Sequence, residues 1–198
     1  MLALTSMRRA ARGFTLIELM VTVAIVAILG MVAVPSFVAF QRNSELTSTS
    51  NSLLAAIGTA RSEAMKRNMR VVVVPFSGTS WGNGWKVFAD LNKDGKLSDS
   101  DTIVAQRDAP LPSYFATPAG TETAAAGTTD GPYIMFDGSG YLAKRDSGGA
   151  QNMSITFNRT DDTSAKQTRI LLLSRPGRAR VCTPSGANDA TCNASAKS

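Results

Sequence analysis

The sequence predicts an α+β chain: a long N-terminal α-helix, apolar in its first half and amphipathic in its second, packed on an antiparallel β-sheet domain. Three observations carry that expectation. Between residues 14 and 40 the only ionisable side chain is Glu18. Leu46, Leu53, Ile57, Ala60 and Ala64 then follow at three-, four- and seven-residue spacings, which place them on one helix face. After Arg67 the pattern changes to short β-branched and aromatic runs punctuated by glycine and proline.

The helix comes first. A helix over 14–40 is roughly 40 Å long at ~1.5 Å per residue, enough to cross a bilayer. Arg8, Arg9 and Arg12 precede it and a long polar remainder follows. This charge bias puts the N-terminus in the cytoplasm and the remainder outside a single-pass inner membrane anchor. Pro35 removes a backbone donor and predicts a kink or local unwinding. Residues 47–52, Thr-Ser-Thr-Ser-Asn-Ser, form helices poorly and predict a bend or loosening before the amphipathic half resumes. Strands are expected at 71–76, 85–90, 102–107, 133–136, 141–144, 153–158, 169–174 and 179–183, spaced as an antiparallel meander. Residues 110–132, rich in Ala, Thr, Gly and Pro, read as a long exposed loop.

A lone carboxylate in an apolar segment costs on the order of 2.5–3.5 kcal/mol, so Glu18 implies a partner or a function. A secretory signal is disfavoured because Val34-Pro35-Ser36-Phe37 lacks small residues in a cleavage pattern, and a plain anchor has no use for Glu18. The run Gly13-Phe14-Thr15-Leu16-Ile17-Glu18-Leu19, with Pro35 beyond it, resembles the N-terminal signal of type IV pilins and type II secretion pseudopilins. That resemblance implies a leader of residues 1–13, or of 7–13 if Met7 is the start. It also implies cleavage between Gly13 and Phe14 by a prepilin peptidase, N-methylation of Phe14, and pairing of Glu18 with the terminal amine of another pilin or pseudopilin subunit. The expected organisation is leader 1–13, membrane and assembly helix 14–40, and amphipathic helix plus periplasmic globular domain 41–198, located in the bacterial inner membrane and, after assembly, in the pilus.

Further pieces resemble the minor-pilin family known as FimT and its secretion-system relative GspH: Gly84-Trp85-Lys86-Val87-Phe88 leading into Asp90-Leu91-Asn92, Ile134-Met135-Phe136-Asp137-Gly138 with Gly140, and the run from Ile170 to Arg180. Within that run Gly177-Arg178-Ala179-Arg180, preceded by Arg175, is similar to the GRxR signature of the DNA-binding members. The resemblance implies a sequence-independent DNA partner and a part in natural transformation. The alternative it leaves open is a structural minor pilin or a secretion pseudopilin. Strand alternation predicts that Arg178 and Arg180 leave one face about 7 Å apart and clamp a phosphate backbone. A charged edge strand that blocks aggregation is the competing reading. From Arg159 onward seven basic residues (Arg159, Lys166, Arg169, Arg175, Arg178, Arg180 and Lys197) stand against Asp161, Asp162 and Asp189.

Cys182 and Cys192, outside the inner membrane, are expected to form a disulfide rather than remain free thiols, pinning a loop beside Arg180. A zinc site lacks further ligands. Residues 90–101 follow a calcium-loop order, with Asp90, Asn92, Asp94 and Ser98 at positions one, three, five and nine, Gly95 at six and Asp101 at twelve. An ordinary Asx- and Gly-rich hairpin turn is the alternative, and no cofactor is expected. The chain has no histidine, and no hydrolytic triad or phosphate-binding Gly-rich loop stands out, so it reads as non-enzymatic.

Overall fold

A computed structural model describes residues 13–116, 119–121, 131–145, 151–186 and 189–192, with 119–121 as backbone only. Residues 1–12 of the expected leader, parts of the 110–132 segment and Lys197 lie outside that set. One helix, α1 (Leu16–Arg67), is followed by β1 (Val71–Pro75), β2 (Trp85–Ala89), β3 (Thr102–Arg107), β4 (Ala119–Thr121), β5 (Ile134–Phe136), β6 (Leu142–Ala143), β7 (Met153–Asn158), β8 (Thr168–Leu173) and β9 (Ala179–Cys182). The chain divides into two units, one ending at Arg42 and the other beginning at Asn43.

In the first unit the helix opens with a reciprocal cap. The Thr15 amide and hydroxyl donate to Glu18 Oε2 at 2.8 and 3.0 Å, and the Glu18 amide donates to Thr15 Oγ1 at 3.3 Å. This Thr-x-x-Glu arrangement satisfies backbone donors that the first turn otherwise leaves orphaned. The helix continues through Pro35, and the next hydroxyl, Ser36 Oγ, donates to the Val32 carbonyl at 3.2 Å. Its large apolar side chains, from Phe14 to Phe40, are exposed, as a membrane-crossing segment requires of its lipid-facing surface.

In the second unit the expected bend at 47–52 is not found, and the helix runs unbroken through the segment. Hydroxyls that weaken an isolated helix bond back to it here: Thr47 to the Asn43 carbonyl at 3.0 Å, Ser50 to Leu46 at 2.8 Å, Ser52 to Ser48 at 2.8 Å. Thr49 and Ser50 are buried, so small side chains let the helix lie close to the sheets, and packing outweighs propensity. Asn68 then ends the helix in the left-handed conformation, φ 50°.

The strands form two antiparallel sheets, not one meander. Their orders are β3-β2-β1-β5-β6 and β4-β7-β8-β9. Leu46, Leu53, Ile57, Ala60 and Ala64 of α1 join one core with Val71, Val73, Val87 and Phe136 of the first sheet and Ile155, Phe157, Leu171 and Leu173 of the second. A single helix face thus covers inner faces of both sheets, and alternation sends Val72, Phe88 and Met135 to the opposite side of the first. The start of the 110–132 segment is not an exposed loop either. Phe115 is buried and bridges to Arg159, and the Tyr114 hydroxyl bonds Glu45 of α1. Apolar burial of the aromatic pair draws that stretch onto the core, and β4 adds an edge strand.

Candidate nucleic-acid interface

The β8–β9 hairpin carries the arginine cluster. Strand pairing sets Leu173 opposite Ala179 and Leu172 opposite Arg180, leaving residues 174–178 as the turn. The Ser174 amide donates to the Arg178 carbonyl at 2.9 Å and the Gly177 amide to the Ser174 carbonyl at 2.8 Å. Arg178 therefore stands in the turn, one residue before the strand, and not within it. Arg175 and Arg178 are exposed. Arg180 is half-buried on the outer face of the second sheet, and its Nη2 donates to the Thr191 carbonyl at 2.7 Å. Arg178 and Arg180 thus do not alternate along one strand as expected, and Arg180 is in addition held by the C-terminal loop.

That loop is closed by the Cys182–Cys192 disulfide, Cα–Cα 5.9 Å. Cys192 is buried against Ile170 and Leu172. Asp189 knots the loop: its carboxylate accepts from the amides of Ser185 and Thr191, each at 2.9 Å, and from both their hydroxyls. These bonds, the Ser185 amide first, hold its carboxyl far below the ordinary carboxylate range.

Gly177 has two reasons to be glycine. Its φ is +82°, and a Cβ there would stand 2.2 Å from the Gly140 carbonyl oxygen. The β8–β9 turn is pressed against the β5–β6 turn, and Arg61 of α1 locks the two: Nε donates to the Gly140 carbonyl and Nη2 to the Pro176 carbonyl, both at 3.0 Å. Arg175 is pinned through its backbone, its amide donating to Asn152 Oδ1 at 2.9 Å and its carbonyl accepting from the Leu142 amide at 3.0 Å. The backbone is fixed while the side chain stays in solvent. Neither Arg61 nor Asn152 is singled out by the sequence, because a cation beside a helix's apolar stripe looks like any solvated charge. Only contacts 79 and 115 residues away in the chain give Arg61 its role.

The basic excess counted along the sequence shrinks in three dimensions. Arg159 is buried in a two-point pair with Asp161, at 2.8 and 2.6 Å. Arg169 is buried too, bonding Asn43 Oδ1, Thr47 Oγ1 and the carbonyls of Lys166 and Thr168. Both stitch the domain together and present nothing to a ligand. Among the described residues Lys166, Arg175, Arg178 and part of Arg180 remain outward, and no carboxylate there pairs with Arg175, Arg178 or Arg180. The loop 90–101 joins β2 to β3 of the first sheet, whereas the arginine turn joins β8 to β9 of the second. Gly13, Phe14 and Glu18 sit at the start of α1, Glu18 inside its cap.

Two family models match the sequence. Residues 49–189 match the family model described as type II transport protein GspH, and residues 8–34 match the prokaryotic N-terminal methylation motif. A crystal structure of the type IV minor pilin FimU of Pseudomonas aeruginosa PAO1 superimposes with a TM-score of 0.50 at 18% identity, covering 74% of this chain and 98% of that one. The type IV major pilin protein PilA of Myxococcus xanthus is 50% identical over 44 residues, 22% of this chain; the match spans only 20% of that relative's length. With a pilin-type helix in front of two antiparallel sheets and a family match over most of its length, the chain belongs to the GspH family and carries the N-terminal methylation motif of pilin-like subunits.

Proposed function

We propose that this GspH-family subunit is a minor type IV pilin that binds DNA without sequence preference through Arg175, Arg178 and Arg180, and contributes to DNA uptake in natural transformation. The observation that carries the reading is the placement of Arg175 and Arg178, exposed on a rigid turn with no carboxylate pairing among the described residues. Guanidinium groups on a fixed backbone can bond phosphate oxygens with little ordering cost, and contacts to phosphate carry no sequence information. Arg180, tied to the Thr191 carbonyl through one nitrogen, keeps its charge for a nearby phosphate.

The test is a titration of duplex DNA into full-length protein in detergent at several salt concentrations. Binding weakens with salt, each phosphate contact contributing about 0.9 to the logarithmic slope. Arg178→Glu with Arg180→Glu removes detectable binding while the fold persists. Unchanged affinity and slope in that folded variant reject the DNA site. The reading then becomes a structural subunit for pilus assembly or secretion, to which the family match already extends.

A further inference from the structure

The loop joining β2 to β3 holds an acidic group that the rest of the molecule does not explain. Asp90 is 0% exposed, and among the buried side-chain polar atoms described its Oδ1 has no hydrogen-bond partner. Its Oδ2 accepts from the Gly95 amide at 3.0 Å, folding the loop back over it. A buried carboxylate oxygen left without a donor or cation is unfavourable, so the site calls for a positive ligand or a proton. Burial disfavours the charge of Asp90, and Asp101 and Asp94 add like-charge repulsion, so three acidic groups act on one small region.

Their spacing is that of a twelve-residue calcium loop, in oxygen ligands and in the glycine at position six. Asp94 and Asp101 are now turned onto loop amides: Asp94 accepts from the Lys96 amide at 2.7 Å, and Asp101 from the Leu91 and Ser98 amides at 2.9 and 2.8 Å. Consistent with that, no three His, Cys, Asp or Glu side chains stand in metal-holding positions among the described residues. Asp94 is exposed and Asp101 partly so, and both are near enough to raise the carboxyl of Asp90 by charge repulsion, so their side chains are the ones a cation there would recruit. Asn92 is already next to them, its amide nitrogen 2.9 Å from Asp94 Oδ2, and Ser98 Oγ donates to Asp101 at 2.7 Å.

We propose that residues 90–101 bind one calcium ion through Asp90 Oδ1, Asn92, Asp94, Ser98 and Asp101, with the Lys96 carbonyl at position seven, and that the ion staples the β2–β3 connection. Calcium suits the site better than magnesium because the ligands are many, all oxygen and carried by a pliable loop. Aspartate at position twelve and Lys93 and Lys96 within the loop place the affinity among weak, extracellular-type sites, with a dissociation constant of about 10⁻⁴–10⁻³ M.

The experiment uses full-length protein in detergent, stripped with a chelator and titrated with calcium chloride by calorimetry, with thermal unfolding followed in parallel. One saturable site is expected, and 10 mM calcium should favour the folded state roughly 10- to 100-fold, while 10 mM magnesium changes it less than about twofold. Asp94→Asn with Asp101→Asn, both in the exposed part of the loop, abolishes the calcium effect and keeps the fold. Asp90→Asn abolishes it too, without destabilising the chelated protein, since it removes an uncompensated buried charge. Absence of calcium heat and of a stability shift in the parent protein overturns the site. So does an undiminished shift in the Asp94/Asp101 variant, or loss of stability in Asp90→Asn that is equal with calcium and with chelator.

Discussion

At the scale of single residues, Gly177 and Arg61 decide how the arginine turn is presented. Gly177→Ala forces a side chain into a left-handed backbone and against the Gly140 carbonyl, so we expect at least ~2 kcal/mol lost in denaturant unfolding, with weakened DNA binding as a consequence. Arg61→Gln, which leaves the helix intact, should weaken binding less than the double-Glu variant because it loosens the platform without removing a phosphate contact. Binding left unchanged in Arg61→Gln would mean that the turn holds its shape without the helix. Asp189 gives a pH signature. Its folded carboxyl is held low, so its contribution to stability is present above the ordinary unfolded value near pH ~4 and is lost as pH falls below it. Protection of the Thr191 and Cys192 amides, measured against their intrinsic exchange rates at each pH, should therefore fall in acid, and Asp189→Asn should show that lower protection already at neutral pH.

Two elements carry testable structure. The C-terminal loop couples its disulfide to Arg180 through the Thr191 carbonyl. Reduction should cost at most about 3 kcal/mol of global stability. It should nonetheless lower DNA affinity, because Arg180 loses the carbonyl that orients it; equal affinity with and without reductant would uncouple the two. The start of α1 separates charge from capping. Glu18→Gln keeps a side chain able to close the Thr15 cap but removes the charge, whereas Glu18→Ala removes both. If the carboxylate pairs with a neighbouring subunit's amine, both variants insert in the membrane and both fail to enter sheared filaments. Filament entry by Glu18→Gln alone would assign the residue to the cap.

For the whole molecule, one helix supplies both a stretch long and apolar enough to cross a membrane and the backing of the folded domain. The large apolar side chains of its first part are exposed, and its second part buries one stripe under two sheets. Processing belongs to this scale because it fixes where the mature chain starts. Gly13→Val should block the peptidase by placing a branched side chain at the scissile bond. Mass spectrometry should then find the precursor, and mature protein from that variant would reject the cleavage position.

The sequence alone determined what depends on local order: the apolar span with its single carboxylate, the stripe from Leu46 to Ala64, eight of the described strands within a residue or two, and the paired cysteines. Each is written in a period or a spacing that neighbouring residues make explicit. Tertiary structure decided what depends on residues far apart in the chain. Pairing of β5 with β1, and of β8 with β7 on one side and β9 on the other, split the expected meander into two sheets. Packing against those sheets held residues 47–52 helical against their propensity. The arginines were sorted likewise: Arg159 and Arg169 were drawn inward by Asp161, Asn43 and Thr47, Arg180 was tethered by Thr191, and Arg175 and Arg178 were left in solvent. A charge run in a sequence counts cations, but whether each meets a phosphate or a protein oxygen depends on which chain segments fold beside it.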